Sequence, residues 1–145
     1  MKLKALFTLL TSFALLISAC SKKDDIPSKP VISIHELGEG DTHGNDHTAK
    51  VGGDLHMDID VVAEGKIDKI QVRIHPEGEH QNEGEHEEWE IDTTYTKFSG
   101  LKNTTFHEHL EIATTAEPGG YHFDFVVTDK EGNQSSAEAD LQIVE

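Results

Sequence analysis

The sequence predicts an all-β domain built as a two-layer antiparallel β-sandwich. Apolar residues recur at every second position in a series of short rows, the signature of half-buried strands. Glycine, proline, asparagine and aspartate cluster between the rows, where turns must fall. No long stretch shows the spacing of an amphipathic helix.

The chain opens with Met1-Lys2-Leu3-Lys4, an apolar run over residues 5–19, and then Cys20. Basic residues, an apolar stretch and small residues before a cut site are the parts of a secretory signal. The run also holds Thr8, Thr11, Ser12 and Ser18, and it is short for a membrane-spanning helix of roughly 20 apolar residues. Residues Ile17-Ser18-Ala19-Cys20 resemble the lipobox of bacterial lipoproteins. That resemblance implies a signal peptide over 1–19 and a lipid on the Cys20 thiol, anchoring the protein to a bilayer. The simpler alternative is an ordinary signal peptide with an incidental cysteine. Cys20 is the single cysteine of the chain, so its lipidation leaves no thiol for a disulfide or a thiolate metal site.

Residues 20–29 are polar and charged, with Pro27 in the segment and Pro30 just beyond it, and read as a lipidated flexible tether. Within it, Ser21-Lys22-Lys23-Asp24-Asp25 resembles the lysine-then-acidic export tag of some Bacteroidota lipoproteins. The expected location is the bacterial outer membrane, on its periplasmic or its outer side. Residues 30–145 suffice for one domain with a single core. All 28 acidic residues lie beyond residue 19, and loss of Lys2 and Lys4 takes the net charge from −16 to −18. Such a surface repels nucleic acid and anionic lipid and attracts cations.

Strands are expected over 31–36, 54–62, 67–75, 88–97, 105–112, 121–128 and 137–144. Ile32 and Ile34 mark the first. Leu55, Met57, Ile59 and Val61 alternate with His56, Asp58 and Asp60 in the second. Ile70, Val72 and Ile74 alternate with Gln71, Arg73 and His75 in the third. Trp89, Ile91, Thr93 and Tyr95 form the fourth row, and Phe106, Leu110 and Ile112 the fifth, against His107, His109 and Glu111. Tyr121, Phe123, Phe125 and Val127 form the sixth, and Ala139, Leu141 and Ile143 the last. Successive side chains point to opposite faces of a strand, so each row places its apolar members on one face. Seven short strands in one small domain point to an immunoglobulin-like sandwich. Glu117-Pro118-Gly119-Gly120-Tyr121 resembles the tyrosine corner of such domains, and Asp129 to Asn133 has the composition of a hairpin turn. Phe123 stands where many such domains carry a cysteine.

A closer resemblance rests on the lipobox, Lys29-Pro30-x-Ile32-x-Ile34, Ile74-His75, Glu88-Trp89, His107-x-His109 and Gly120-Tyr121-His122-Phe123. Together these resemble the Bacteroidota lipoproteins of domain-of-unknown-function family 4625. The resemblance implies an Ig-like fold and an envelope location. It implies no activity.

The functional reading comes from ten histidines, all within 30–145. Neutral imidazole is the commonest metal ligand, and carboxylate is its natural companion in a chain without a spare thiolate. The segment 75–88 alternates His75, His80 and His86 with glutamates, and 40–47 carries His43 and His47 among acids and glycines. In an Ig-like topology the end of strand 67–75 and the start of strand 121–128 are neighbours at one pole, so His75 and His122 should meet. The expected site combines His75 and His122 with His80 or His86 and a carboxylate, a set suited to zinc and open to copper or nickel. His35, His43, His47 and His56 are expected at the same pole. A second candidate is the His107-x-His109 pair, whose rings leave one face about 7 Å apart beside His56, Asp58 and Asp60. The nominal function is metal capture, sensing or hand-over, with an outer-membrane transporter as a conceivable recipient. The alternatives are an accessory protein- or glycan-interaction module and a metal-dependent enzyme. Catalysis is not expected, since the chain has no Ser-His-Asp pattern and no phosphate loop.

Overall fold

The structure, a computed structural model, describes residues 28–40, 45–78 and 89–145. The expected signal peptide, Cys20 and most of the tether lie outside the described residues, as do His43, His80 and His86. Eight strands form: β1 (Val31–Glu39), β2 (Thr48–Lys50), β3 (Asp54–Val62), β4 (Ile67–Pro76), β5 (Ile91–Tyr95), β6 (Asn103–Glu111), β7 (Gly119–Asp129) and β8 (Gln134–Val144). They build a three-stranded sheet, β1-β3-β6, and a five-stranded sheet, β2-β8-β7-β4-β5. All pairings are antiparallel except β2 with β8, which is parallel.

The all-β sandwich is therefore as the period-two rows predict, with three differences. β2 is an additional strand whose one buried residue is Ala49, too short to show alternation. The strand expected over 88–97 is confined to Ile91–Tyr95. Trp89 precedes it and is buried against Tyr121, with ring centroids 5.9 Å apart. The first strand runs on to Glu39 instead of stopping at 36, because a bulge falls between Ile34 and Glu36. Ile32 and Ile34 lie opposite the inward-facing Val61 and Ile59, whereas beyond the bulge Leu37 lies opposite the inward-facing Met57. One extra residue shifts the phase of a strand. Here the bulge leaves His35 and Glu36, consecutive in sequence, both directed to the outer face.

The two inner faces share one apolar core. Leu55, Met57, Ile59, Ile70, Val72, Phe106, Tyr121, Phe123 and Phe125 are fully buried in it. Phe106 is a hub, with ring centroids 4.9 Å from Tyr95, 5.5 Å from Phe98 and 5.0 Å from Phe125. The edge-to-face arrangement with Tyr95 and Phe125 is the preferred one for aromatic pairs.

The predicted tyrosine corner is present: the Tyr121 hydroxyl donates to the Glu117 carbonyl at 2.7 Å. The β7–β8 hairpin is organised by buried Asp129, whose carboxylate accepts from the amides of Glu131 at 3.0 Å and Asn133 at 2.7 Å. Gly132 completes that turn with φ +85°, a conformation that favours glycine. Among the described residues no helix is long and apolar enough to cross a membrane.

Candidate metal centre

Of the described histidines expected at one pole, His75 and His122 lie on the outer face of the five-stranded sheet and His35 and His56 on that of the three-stranded sheet. His75 and His122 do meet, as direct cross-strand partners on β4 and β7. Their rings lie 5.4 Å apart on the outer face of the five-stranded sheet. His122 then collects carboxylates: Asp124 at 3.6 Å, Glu138 at 3.9 Å, and a separate group with Glu77 and Asp140. Arg73 is paired with the same Asp124 at 3.1 Å, which places a competing cation beside that acid. Among the described residues His75 joins no group of three potential ligands.

The three-stranded sheet carries the denser cluster. β3 and β6 pair so that His56 lies opposite His109, and Asp58 opposite His107. The H-x-H spacing puts His107 and His109 on one face of β6, and the register adds His56 from β3. Ring centroids of His56 lie 4.7 Å from both His107 and His109, which are 5.5 Å from each other. One ligand nitrogen from each of the three falls within 4.8 Å of the others, and this group contains no carboxylate. Nε2 of His56 is 3.4 Å from Nδ1 of His107. The same Nδ1 faces Asp58, so a metal held with that acid as outer partner would take Nε2 of His107.

His56 is 1% exposed although alternation directs it outward. Its neighbours on the outer face cover it, with the His107 and His109 rings as two of them. Each of the three rings has a carboxylate at its Nδ1. Glu36 Oε2 lies 3.2 Å from that of His56, Asp58 Oδ2 lies 3.2 Å from that of His107, and Asp54 Oδ2 is in close contact with that of His109. A carboxylate on the far nitrogen is the usual outer partner of a metal-ligating histidine, fixing its tautomer and raising its basicity.

The other described candidates, His35 and His47, are apart from this group. His35 bonds Asp60 at 3.0 Å on the same face. His47, with φ +54°, precedes β2 and bonds Asn45 at 3.1 Å. Sequence reading does not single out Glu36, Asp54 or the Asp58–His107 pairing as outer partners. Asp54 and Asp58 are detectable from the β3–β6 register, but Glu36 depends on the bulge.

Asp60 is the one carboxylate of this face with a clear electrostatic signature. The Thr105 hydroxyl, donating at 2.7 Å, and then His35 hold its pKa below the ordinary aspartate range. A lowered folded-state value adds stability above the unfolded pKa and loses it as pH falls through the folded one. Thr105→Val should therefore lower the urea midpoint at neutral pH by more than at pH 2. An equal loss at both pH values would mean that the hydroxyl contributes packing only.

These features define a β-sandwich module presenting an imidazole cluster braced by acids on one outer face. The chain belongs to the family described as Domain of unknown function (DUF4625), whose model matches residues 18–144. No curated protein matches it. Solved structures with a similar fold include superoxide reductase (neelaredoxin) from Ignicoccus hospitalis, at 12% identity and TM-score 0.45, covering 81% of this chain and 82% of that one. The sporulation control protein Spo0M from Bacillus subtilis matches at 8% identity and TM-score 0.47, over 81% of this chain and 50% of its own. A β-glucosidase from Listeria innocua in complex with glucose matches at 11% identity and TM-score 0.41, over 82% of this chain and 16% of its own. At these scores the likenesses say nothing about function.

Proposed function

We propose that this protein is an outer-membrane lipoprotein, anchored through Cys20, whose sandwich binds one transition metal ion for capture or hand-over. The ligands are His56, His107 and His109. Zinc is the ion of choice, since it accepts three imidazoles and a fourth ligand without a geometric preference of its own. Copper and nickel are accommodated by the same donors. The observation that carries this reading is the carboxylate at Nδ1 of all three rings. A solvated polar sheet face has no need of that repeated arrangement. The net charge of −16 for the whole chain adds a field that draws cations inward.

A binder is favoured over an enzyme by the position of Glu108. It is the nearest acid in sequence to the pair, but it lies opposite buried Met57 and pairs with Lys97 on the inner side of β6. It therefore cannot serve as a base beside His107 and His109. A glycan platform is disfavoured too. The exposed large apolar residues among the described ones are Val31, Val62 and Leu101, with no aromatic ring among them.

The test is calorimetric titration of Zn²⁺ into the metal-free full chain, held in detergent because of the apolar run over 5–19. One tight equivalent is expected, lost in the His107→Ala/His109→Ala variant and retained in His75→Ala/His122→Ala. If the second variant abolishes tight binding and the first does not, the site belongs on the five-stranded sheet instead.

A further inference from the structure

We propose that the metal at the trio keeps one coordination position open, and that this position selects a neutral imidazole-type nitrogen donor over a small anion. The inference deepens the metal-binding reading and rests on it.

The first step is the missing ligand. The trio supplies three nitrogens, and no carboxylate shares the group. The nearest acids are engaged on the Nδ1 atoms: Glu36, Asp54 and Asp58 act as outer partners. Three protein ligands with a fourth position held by water is the arrangement of exchangeable zinc sites, whereas four protein ligands close a structural site. Access is available, because the side chains of His107 and His109 are 53% and 42% exposed. An incoming ligand displaces the water, so one metal–oxygen bond breaks and one metal–ligand bond forms.

The second step is charge. Three neutral imidazoles leave a divalent ion at +2, and the three outer carboxylates bring −3. The local sum is negative before any fourth ligand arrives. An anion entering that position meets three carboxylates from Glu36, Asp54 and Asp58, while a neutral imidazole does not. The side chains of Asp58 and Glu36 are only 27% and 34% exposed, so solvent screens part of this field and not all of it. A metal-capturing protein with such a site exchanges its ion with a histidine-bearing ligand more readily than with chloride or phosphate.

The experiment loads the full chain in detergent with Co²⁺ and follows its visible absorption during titration with imidazole and, separately, with azide at constant ionic strength. Imidazole is expected to perturb the bands at a concentration at least about tenfold lower than azide. In Asp54→Asn/Asp58→Asn, loaded with excess Co²⁺, azide affinity should rise about tenfold while imidazole affinity changes little. Bands that respond to neither ligand would show a closed site and overturn the proposal. Equal or stronger azide binding would overturn the selectivity, as would an unchanged ratio in the double variant. Absence of any Co²⁺ bands, or bands that persist in His107→Ala/His109→Ala, would instead refute the metal site itself.

Discussion

Replacing His56 by alanine is expected to lower zinc affinity by at least about a hundredfold, more than any other single histidine substitution. His56 is the member of the trio whose ring lies nearest both others, at 4.7 Å each against 5.5 Å between His107 and His109. It is also the buried one, at 1% exposure. A buried ligand on a paired strand loses little freedom when the ion binds, so its contribution is pre-organised. The half-exposed rings of His107 and His109 must be ordered by the ion, which offsets part of their contribution. Removing an outer partner should act more gently. Glu36→Ala takes away the carboxylate 3.2 Å from His56 Nδ1 and should cost about 10–100-fold, the usual range for such partners. Both variants should stay folded without metal, because His56 and Glu36 lie on the outer face while their neighbours Leu55, Met57 and Leu37 fill the core. Calorimetry alongside a urea melt separates the two effects. An affinity in His56→Ala within threefold of the parent protein would remove His56 from the ligand set.

The sequence carries this site only in pieces. Alternation alone places Leu55, Met57, Ile59 and Val61 inward and His56, Asp58 and Asp60 outward, and the described β3 follows it. The H-x-H pair fixes two rings on one side of β6. The strand order that makes β3 and β6 neighbours is a property of the whole sandwich, reachable only through the immunoglobulin-like topology. That same topology brings His75 against His122, which is why the two rings were expected together. What alternation cannot supply is burial: an outward residue reads as solvated, and His56 is covered by neighbours on the outer face, the His107 and His109 rings among them. Nor can it supply Glu36. In an unbroken strand Ile32, Ile34 and Glu36 would share the inner face, and one extra residue at the bulge turns the acid outward to His56. The same bulge carries the strand past residue 36, since the apolar phase resumes at Leu37.

The largest effect on stability is expected from Phe106→Ala. The ring is fully buried and stacks with Tyr95, Phe98 and Phe125 across the two sheets. Its Cα lies opposite Ile59 on the paired strand, within the same core. Phe-to-Ala changes of this kind cost about 3–5 kcal/mol, a large part of the roughly 5–15 kcal/mol that holds a domain together. The melting temperature should fall by roughly 10–20 °C. Phe106 and His107 are adjacent on β6 and point to opposite faces, so the substitution empties the core without touching a ligand. Metal can then offset the damage. An ion that binds only the folded state at a hundred times its dissociation constant adds about 2.7 kcal/mol. Zinc should therefore restore about half or more of the loss in Phe106→Ala, and restore none of it once His107 and His109 are also alanine. Thermal melts of the single and triple variants with and without zinc read both links at once. Equal recovery in the two would mean that zinc acts elsewhere on the acidic surface, and a fall of less than about 1 kcal/mol would mean that Phe106 is not the hub its ring contacts make it.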